Sequence, residues 1–441
     1  MGINIFEKYI TALESTDTIV YSGIVNKSVG LLLESKGPRA HIGELCRVIV
    51  PDTNSEIPAE VVGFKNGTTL LFPFNNEAGI KSGMKVVATG KPLTAKVGKN
   101  LLGRVVDTLG KPLDGKGNIV YEDERPIFNS PPHVLRRKRI TDPLATGIKS
   151  IDGCLTIGKG QRIGVFSGSG IGKSTLLGMI AKHTSADVNV IALIGERGRE
   201  VRDFLERDLG EHGLKRSVVV VATSDQAPIA RIRGAYLATA VAEYFRDQGK
   251  DVLFMMDSIT RFARAQREIG LAVGEPPATK GFTPSVFSIL PKLLERSGMG
   301  EKGSITGIYA VLVEGDDINE PISDAVRGVL DGHIVLSRKL AEKSHYPAVD
   351  VLASISRLTP YITSPEHKQG IQRVKQVLSY YYDAEDLIQI GAYVKGSDPN
   401  VDWAVEKIDE VRMFLQQDMD EGFGFEEVKS MLSAIFEENG D

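Results

Sequence analysis

The most informative stretch of the sequence is Ser167-Gly168-Ser169-Gly170-Ile171-Gly172-Lys173-Ser174-Thr175, which lies between an apolar run and a helical pattern. Its glycines let backbone N–H groups turn inward around phosphate oxygens, and the helix that follows presents its positive end to them. Lys173 adds a mobile charge for the β and γ phosphates, and the Ser174 hydroxyl is a magnesium ligand. Such loops usually begin with glycine, whereas this one begins with Ser167. We predict a nucleotide-binding phosphate loop between a strand and a helix.

The pattern on both sides of this loop predicts a mostly parallel sheet. From about 150 to 360, near-continuous apolar runs alternate with helical patterns, as expected for strands that helices cover on both faces. The runs lie at 162–167, 188–194, 217–222, 251–256 and 305–313. From 18 to about 92, short β-branched runs alternate with Gly, Pro and Asn turns, which predicts a small β-barrel. After 363 the patterns are helical, at 369–382, 399–417 and 425–437.

These changes of pattern divide the chain into four parts and predict an α/β fold class. The parts are an amino-terminal arm at 1–17, a β-barrel at 18–95, a nucleotide-binding domain at 96–365 that begins with a connector at 96–150, and a helical domain at 366–441. The arm has apolar residues on one helical face, so it either packs on its own domain or docks a partner. The connector contains the basic run 136–139, which suits a solvated surface or a dock for an acidic partner.

Composition excludes several classes of function. The 441 residues include 53 Lys and Arg against 57 Asp and Glu, so the chain has no global basic field with which to hold nucleic acid. No apolar run approaches the roughly 20 residues that a membrane-spanning helix needs, and the amino terminus lacks the pattern of a secretory signal. The two cysteines, Cys46 and Cys154, are too few for a disulfide framework. Together these features predict a cytoplasmic protein.

Two carboxylates follow predicted strands. Asp257 directly follows the run at 251–256. Because the carboxyl ends of parallel strands meet at one edge of a sheet, Asp257 can hold magnesium beside the phosphate loop. Glu196 follows the run at 188–194 and is the candidate general base that orients an attacking water. Arg197 is a candidate donor to the γ-phosphate oxygens. Taken alone, Asp257 also suits a helix cap, and Glu196 with Arg197 also suits a plain salt-bridge cluster.

Several longer strings resemble the rotary ATP synthase superfamily. They are Val311-Leu312-Val313-Glu314-Gly315-Asp316-Asp317, Pro321-Ile322-Ser323-Asp324, His345-Tyr346-Pro347-Ala348-Val349-Asp350 and Ser354-Ile355-Ser356-Arg357. Within that superfamily, the strings at 257–263 (Asp-Ser-Ile-Thr-Arg-Phe-Ala) and 274–281 (Gly-Glu-Pro-Pro-Ala-Thr-Lys-Gly) most resemble the type III secretion ATPases, the flagellar export ATPases above all. The similarity runs from about residue 18 to 380, and it implies a RecA-like arrangement of the central sheet.

The resemblance also implies roles for individual residues. Glu196 matches the family's catalytic glutamate, and Asp257 matches the aspartate of its second nucleotide-binding motif. Tyr346 matches the aromatic residue that stacks on adenine. Arg357 matches the arginine finger, which reaches into the neighbouring subunit's site and offsets charge on the γ-phosphate. The implied phosphate-binding set comprises Gly168, Ser169, Gly170, Ile171, Gly172, Lys173, Ser174 and Thr175.

The implied function is an ATPase that hydrolyses Mg-ATP as a homo-hexameric ring to energise type III protein export, in the first place of flagellar components. Its implied partners are the export gate, chaperones and export substrates, with a regulatory or stator-like partner at the amino-terminal helix. It would bind no nucleic acid and would associate only peripherally with the cytoplasmic face of the inner membrane. A virulence injectisome ATPase and a catalytic or non-catalytic subunit of a rotary ATP synthase stay open as alternatives.

A ring-shaped RNA helicase is a further alternative, because its core is related. Such a protein would need a basic, aromatic-rich amino-terminal domain on which bases stack. The region 18–92 has aromatic residues but no accompanying stripe of Lys and Arg, which argues against this alternative; the aromatic residues are Tyr21, Phe64, Phe72 and Phe74.

Overall fold

The structure is a computed structural model that describes residues 20–53, 55–75, 79–313, 315, 317 and 319–437. The arm predicted at 1–17 lies outside the described residues. The chain divides into two compact units. The first contains the residues up to Leu93 together with 226–230 and 272–274, and the second contains all the others. Among the described residues, no helix combines the length and the apolar character needed to cross a bilayer.

The first unit contains a closed antiparallel barrel. Its strands are β1 (Ser22–Val29), β2 (Leu32–Lys36), β3 (Glu44–Val50), β4 (Ser55–Lys65), β5 (Thr68–Pro73) and β6 (Lys85–Pro92). They follow the order β1-β2-β5-β4-β3-β6, and pairing of β6 with β1 closes the barrel. Inward-facing apolar side chains fill it, among them Val25, Leu33, Val48, Val61, Leu71 and Val86. The predicted barrel is confirmed.

The second unit contains the predicted sheet. Two short strands, β7 (Thr94–Val97) and β9 (Asp123–Pro126), pair separately. The central sheet has the order β17-β16-β10-β15-β13-β11-β12-β8, with β14 paired to β15. Its strands are β8 (Arg104–Val106), β10 (Arg162–Ser167), β11 (Val188–Glu196), β12 (Ser217–Thr223), β13 (Asp251–Asp257), β14 (Gly298–Met299), β15 (Ser304–Leu312), β16 (Gly332–Leu336) and β17 (Val349–Ser356).

All pairs in this sheet are parallel except those of β14 with β15 and of β17 with β16. Every residue of β11 is buried, which requires cover on both faces of the sheet. The five predicted strands are present within a residue or two of their predicted bounds. The edge strand β8 comes from the stretch that we predicted as a connector, and β16 and β17 were not predicted.

Helices cover the sheet and form the last part of the described chain. In order they are α1 (Lys149–Cys154), α2 (Lys173–His183), α3 (Gly198–Asp203), α4 (Gly210–Lys215), α5 (Pro228–Asp247), α6 (Ile259–Val273), α7 (Pro284–Leu294), α8 (Pro321–Val329), α9 (Arg338–Glu342), α10 (Thr359–Ile362), α11 (Pro365–Gln389), α12 (Pro399–Leu415) and α13 (Phe425–Ala434). A π-helical turn, Phe204–Leu209, follows α3.

The last three helices confirm the predicted helical carboxy-terminal region. Helix α11 begins earlier than predicted because Ser364 caps it, its hydroxyl accepting a hydrogen bond from His367 N at 3.3 Å, and Pro365 occupies the first turn. Side chains of α11–α13 belong to the same apolar core as the sheet, among them Val374, Val377, Ile408, Val411, Val428 and Leu432. The carboxy-terminal helices are therefore packed against the nucleotide-binding sheet by a shared core.

Candidate active site

The phosphate loop lies between β10 and α2, as predicted. Gly170 and Gly172 have φ values of 78° and 89°, a region of backbone conformation that glycine adopts without strain. Nothing surrounds the position where a Gly170 side chain would begin, so conformation rather than space requires glycine there. Ser167, which replaces the usual first glycine, is buried, and its hydroxyl has no hydrogen-bond partner among the described residues. The loop itself, at Ser169 and Gly170, is exposed.

Lys173, the first residue of α2, lies between two carboxylates. Its ammonium donates a hydrogen bond to Asp257, the last residue of β13. The same nitrogen lies 4.0 Å from Oε1 of Glu196, the last residue of β11. Because β11 and β13 are parallel neighbours, with Leu193 opposite Asp257, their carboxyl ends meet beside the loop. The structure thus brings together Lys173, Glu196 and Asp257, as the sequence predicted.

Glu196 lies in a nearly closed environment. It is 8% exposed, and Oε1 is a fully buried acceptor without a hydrogen bond to the described residues. Burial, followed by the charge of Asp257, raises the pKa of Glu196 to about 8, while Lys173 and Arg261 oppose the rise. A carboxylate with an unused acceptor and a pKa near the ambient pH is suited to take a proton from water.

Arg261 is a site residue that the sequence analysis did not identify. Its Nε lies 3.2 Å from Glu196 Oε1, and Nη2 donates to Oε2 at 3.4 Å. It lies in the first turn of α6, four residues after Asp257, and this spacing from a predicted strand end was the available signal. The Arg261 guanidinium therefore lies beside the proposed general base and supplies positive charge at this edge of the sheet.

Arg197 lies elsewhere. Its side chain is 75% exposed and pairs with Glu200 at 3.6 Å, at the start of α3. The ion pair lies at the first turn of that helix, where Arg197 N also donates a hydrogen bond to the Glu200 carboxylate. Within the described residues, Arg197 has no hydrogen bond or ion pair with the carboxylates of Glu196 or Asp257. Its contact with a γ-phosphate stays a prediction that would need this side chain to turn inward.

Tyr346 lies against the phosphate loop. The position of a Gly172 side chain would be 3.7 Å from the Tyr346 ring, so the aromatic ring lies directly over the start of α2. Tyr346 is 47% exposed and therefore offers an open ring face near the site. An exposed aromatic face beside a phosphate-binding loop suits stacking with a purine base. The geometry is compatible with the role that the sequence implied for Tyr346.

Arg357 lies near the amino ends of the parallel strands, whereas the phosphate loop lies at their carboxyl ends. Strand β17 runs antiparallel to β16, and Ser356 pairs with Gly332, the first residue of β16. Strand β16 is parallel to β10, which ends in the phosphate loop, so Arg357 lies near the amino ends of these strands. A six-residue strand such as β10 spans about 20 Å. Arg357 therefore cannot reach the phosphate loop of its own chain.

The surroundings of Arg357 are open. The residue is exposed, and within the described part of the chain its guanidinium forms no hydrogen bond or ion pair. It lines a groove of about 850 Å³ together with apolar residues and the cations Lys368 and Lys375. A positively charged side chain on such a surface is available to a second molecule.

The loop residues fit a magnesium nucleotide. Serine hydroxyl and carboxylate oxygens are ligands that magnesium prefers, and Ser174 and Asp257 supply one of each beside Lys173. Among the described residues, no group of three or more His, Cys, Asp or Glu side chains is arranged to hold a metal. Magnesium at such a site takes its remaining ligands from phosphate oxygens and water. The buried Glu196 Oε1, which accepts no hydrogen bond from the described residues, is an acceptor that such a water would satisfy.

Comparison with family models identifies three matching regions. Residues 147–356 match the nucleotide-binding domain of the ATP synthase alpha/beta family, and residues 25–90 match the β-barrel domain of that family. Residues 363–434 match the carboxy-terminal domain of the type III secretion ATPase EscN. The three matches cover the barrel, the central sheet and the carboxy-terminal helices.

Whole-chain comparisons agree with these matches. The chain is 53% identical to a flagellum-specific ATP synthase of Bacillus subtilis, over 97% of this chain and 98% of the relative. It is 50% identical to a type 3 secretion system ATPase of Xanthomonas euvesicatoria, over 94% and 93% of the two chains. The solved structure of the assembled ATPase EscN from enteropathogenic E. coli superposes with a TM-score of 0.89 and 45% identity, over 94% of this chain and 99% of that chain. The chain belongs to the ATP synthase alpha/beta family and, within it, to the ATPases of flagellar and type III secretion systems.

Proposed function

We propose that the chain hydrolyses Mg-ATP as a homo-hexameric ring and thereby energises type III export of flagellar components. One observation carries the proposal: a phosphate site with a buried carboxylate base lies at one edge of the sheet, while the arginine that should complete it lies at the other. Such a chain needs a neighbour in order to work. The identity of about half with flagellar relatives over nearly their whole length supports the flagellar assignment.

The chemistry follows from the positions of the side chains. The loop N–H groups and Lys173 hold the β and γ phosphates, and Tyr346 retains the base. Magnesium, held by Ser174 and Asp257, would neutralise phosphate charge. Glu196 in its ionised form accepts the proton of the water that attacks the γ-phosphorus.

The arginine finger comes from the neighbouring chain. Repetition of one head-to-tail contact places Arg357 of each protomer at the phosphate loop of the next, and such heterologous contacts generate closed rings. The finger stabilises charge on the γ-phosphoryl group only after assembly, so that assembly itself controls turnover. EscN, which the chain resembles over 94% of its length, has been solved in an assembled form.

The proposed partners follow from the family. EscN has also been solved in complex with its central stalk EscO, with 44% identity to this chain, and we extend a stalk-like partner to this protein. The export gate, chaperones and export substrates, and a regulatory partner at the amino-terminal arm, are further proposed partners, and nucleic acid is not among them. The proposed location is the cytoplasmic face of the inner membrane, with peripheral attachment. The identity with the Xanthomonas enzyme makes an injectisome role the second candidate.

The proposal is tested by ATP hydrolysis of the purified chain as a function of its concentration, with Glu196→Gln as the blank. Specific activity should rise with concentration as interfacial sites form, and Arg357→Ala should show no such rise. Nucleotide binding without turnover at every concentration would contradict the proposal and indicate a subunit that needs a different partner chain.

A further inference from the structure

Gln417 is a buried polar residue that the proposed mechanism does not use. It follows α12, is 7% exposed, and forms four hydrogen bonds. Its Oε1 accepts from Lys149 N at 2.9 Å, and its Nε2 donates to the carbonyls of Gly147 at 2.8 Å and Glu421 at 2.9 Å. Its backbone N donates to the carbonyl oxygen of Tyr346 at 3.0 Å. One residue thus joins the carboxy-terminal helices to the aromatic residue of the nucleotide site.

The Gly147 end of this connection is rigid. Gly147 has a φ of 78°, and a side chain on it would overlap His183, the last residue of the phosphate-loop helix α2. The buried Asp152 carboxylate accepts hydrogen bonds from Thr146 N at 2.9 Å and from Gly147 N at 2.9 Å. The turn that Gln417 contacts is therefore fixed against the far end of α2.

Tyr346 connects Gln417 to the beginning of α2. The Tyr346 ring lies over Gly172, at the beginning of α2, while its carbonyl accepts from Gln417. From Gln417 the contacts lead through Gly147 and His183 to one end of α2 and return through Tyr346 at the other. Buried hydrogen bonds of this kind cost free energy when one partner is removed, because the others are left unsatisfied.

We propose that Gln417 is a positioning residue for the nucleotide base. The hydrogen bonds of its side chain fix the position of its own backbone N–H, which donates to the Tyr346 carbonyl. The Tyr346 ring is thereby held at a fixed distance from the phosphate loop. The inference rests on the proposed role of Tyr346 in base stacking. It predicts that the carboxy-terminal segment after α12 controls affinity for the base without affecting affinity for the phosphates.

The test compares Gln417→Met with Gln416→Met in the full-length, assembled chain. The two variants make the same change at adjacent positions, and the Gln416 side chain forms no hydrogen bond with the described residues. In Gln417→Met the KM for ATP should rise about 5- to 10-fold, the size of one or two lost hydrogen bonds, with kcat unchanged. Inhibition by magnesium tripolyphosphate, which has the phosphates but no base, should keep its wild-type Ki. Gln416→Met should behave as wild type.

Outcomes of two kinds would overturn the inference. One is an unchanged KM, and the other is an equal loss of affinity for tripolyphosphate, which would mean a general structural defect. A double-mutant cycle with Tyr346→Ala provides the second test, because Gln417→Met should add nothing once the ring is gone. If Tyr346→Ala itself leaves the KM for ATP unchanged, the proposed role of Tyr346 fails. If Tyr346→Ala raises KM and Gln417→Met does not, the positioning role alone fails.

Discussion

The two edges of the central sheet differ in a way that explains how the site works. At the carboxyl edge, Glu196 and Asp257 are buried, and the half-buried Lys173 lies within hydrogen-bond or ion-pair distance of both. At the amino edge, Arg357 is exposed and has no ion-pair partner among the described residues. The first edge is assembled by the folding of one chain. The second has a charged group that lies too far from the phosphate loop of its own chain to contact it.

This difference separates binding from turnover. The groups proposed to hold phosphate and activate water need only the parallel strands that end beside the loop. The arginine proposed to offset charge during the reaction would act on a neighbour, because an antiparallel strand carries it to the opposite edge. A single chain should therefore bind nucleotide competently and hydrolyse it poorly.

Removal of Lys173 should have the largest effect on the site at the carboxyl edge of the sheet. Lys173→Ala should abolish both nucleotide binding and hydrolysis, because it removes the positive charge that holds the phosphates and leaves the buried Asp257 carboxylate without its cation. Titration calorimetry with ATP and a hydrolysis assay measure both effects. Lys182→Ala, near the other end of the same helix, is the control and should bind nucleotide normally. Retained binding in Lys173→Ala would show that the loop does not hold the phosphates.

Removal of Arg357 tests the second edge alone. In Arg357→Ala, kcat of the assembled protein should fall by about 10³–10⁵-fold, as for other arginine fingers, while the Kd for nucleotide changes little. Arg357→Lys should fall by less, because it keeps the charge but loses the planar guanidinium. Measurement of both kcat and Kd distinguishes a loss of turnover from a loss of nucleotide binding. A large loss of affinity in Arg357→Ala would place this residue in ground-state binding instead.

Replacement of Glu196 separates chemistry from binding within the first edge. Glu196→Gln should lower kcat by about 10²–10⁴-fold, the usual contribution of a general base, and should keep nucleotide binding. The variant has nearly the same volume, so ring assembly should also be unaffected. Single-turnover hydrolysis measures the chemical step directly. Normal turnover in this variant would exclude Glu196 as the base.

The pKa of Glu196 predicts a smaller, pH-dependent effect. Burial raises this pKa to about 8, and only the ionised carboxylate can accept a proton, so kcat/KM should rise with pH up to about 8. Below that pH it should fall about tenfold per unit. Arg357→Ala should keep this limb of the profile at a lower overall rate. A flat profile in the wild type, or the same limb in Glu196→Gln, would mean that another group titrates.

Much of the first edge could be predicted from local sequence. The phosphate loop, Glu196 and Asp257 all follow apolar runs, and strand-end logic places them together without knowledge of the strand order. Arg261 was missed although its spacing from Asp257, one helical turn, was visible. The barrel and the three carboxy-terminal helices were also predicted from local periodicity.

The missed features depend on contacts between distant residues. Strand β17 has a mixed pattern of buried and exposed positions, and β16 is only five residues long, so neither has a strong local signal. Their antiparallel register is what carries Arg357 to the far edge. The role of Gln417 depends on partners at positions 147 and 346, which no local pattern connects. The position of Arg357 and the role of Gln417 therefore depend on contacts between residues that are distant in the sequence.

A mixing experiment tests most directly whether the two edges of different chains form one site. Chains with Glu196→Gln and chains with Arg357→Ala are combined at equal ratio, and hydrolysis is measured after co-assembly is verified by size. Each variant alone should be nearly inactive. In the mixture about a quarter of the head-to-tail interfaces should join an intact Glu196 to an intact Arg357, so activity should return. Failure of co-assembled rings to regain activity would contradict an arginine supplied by the neighbouring chain.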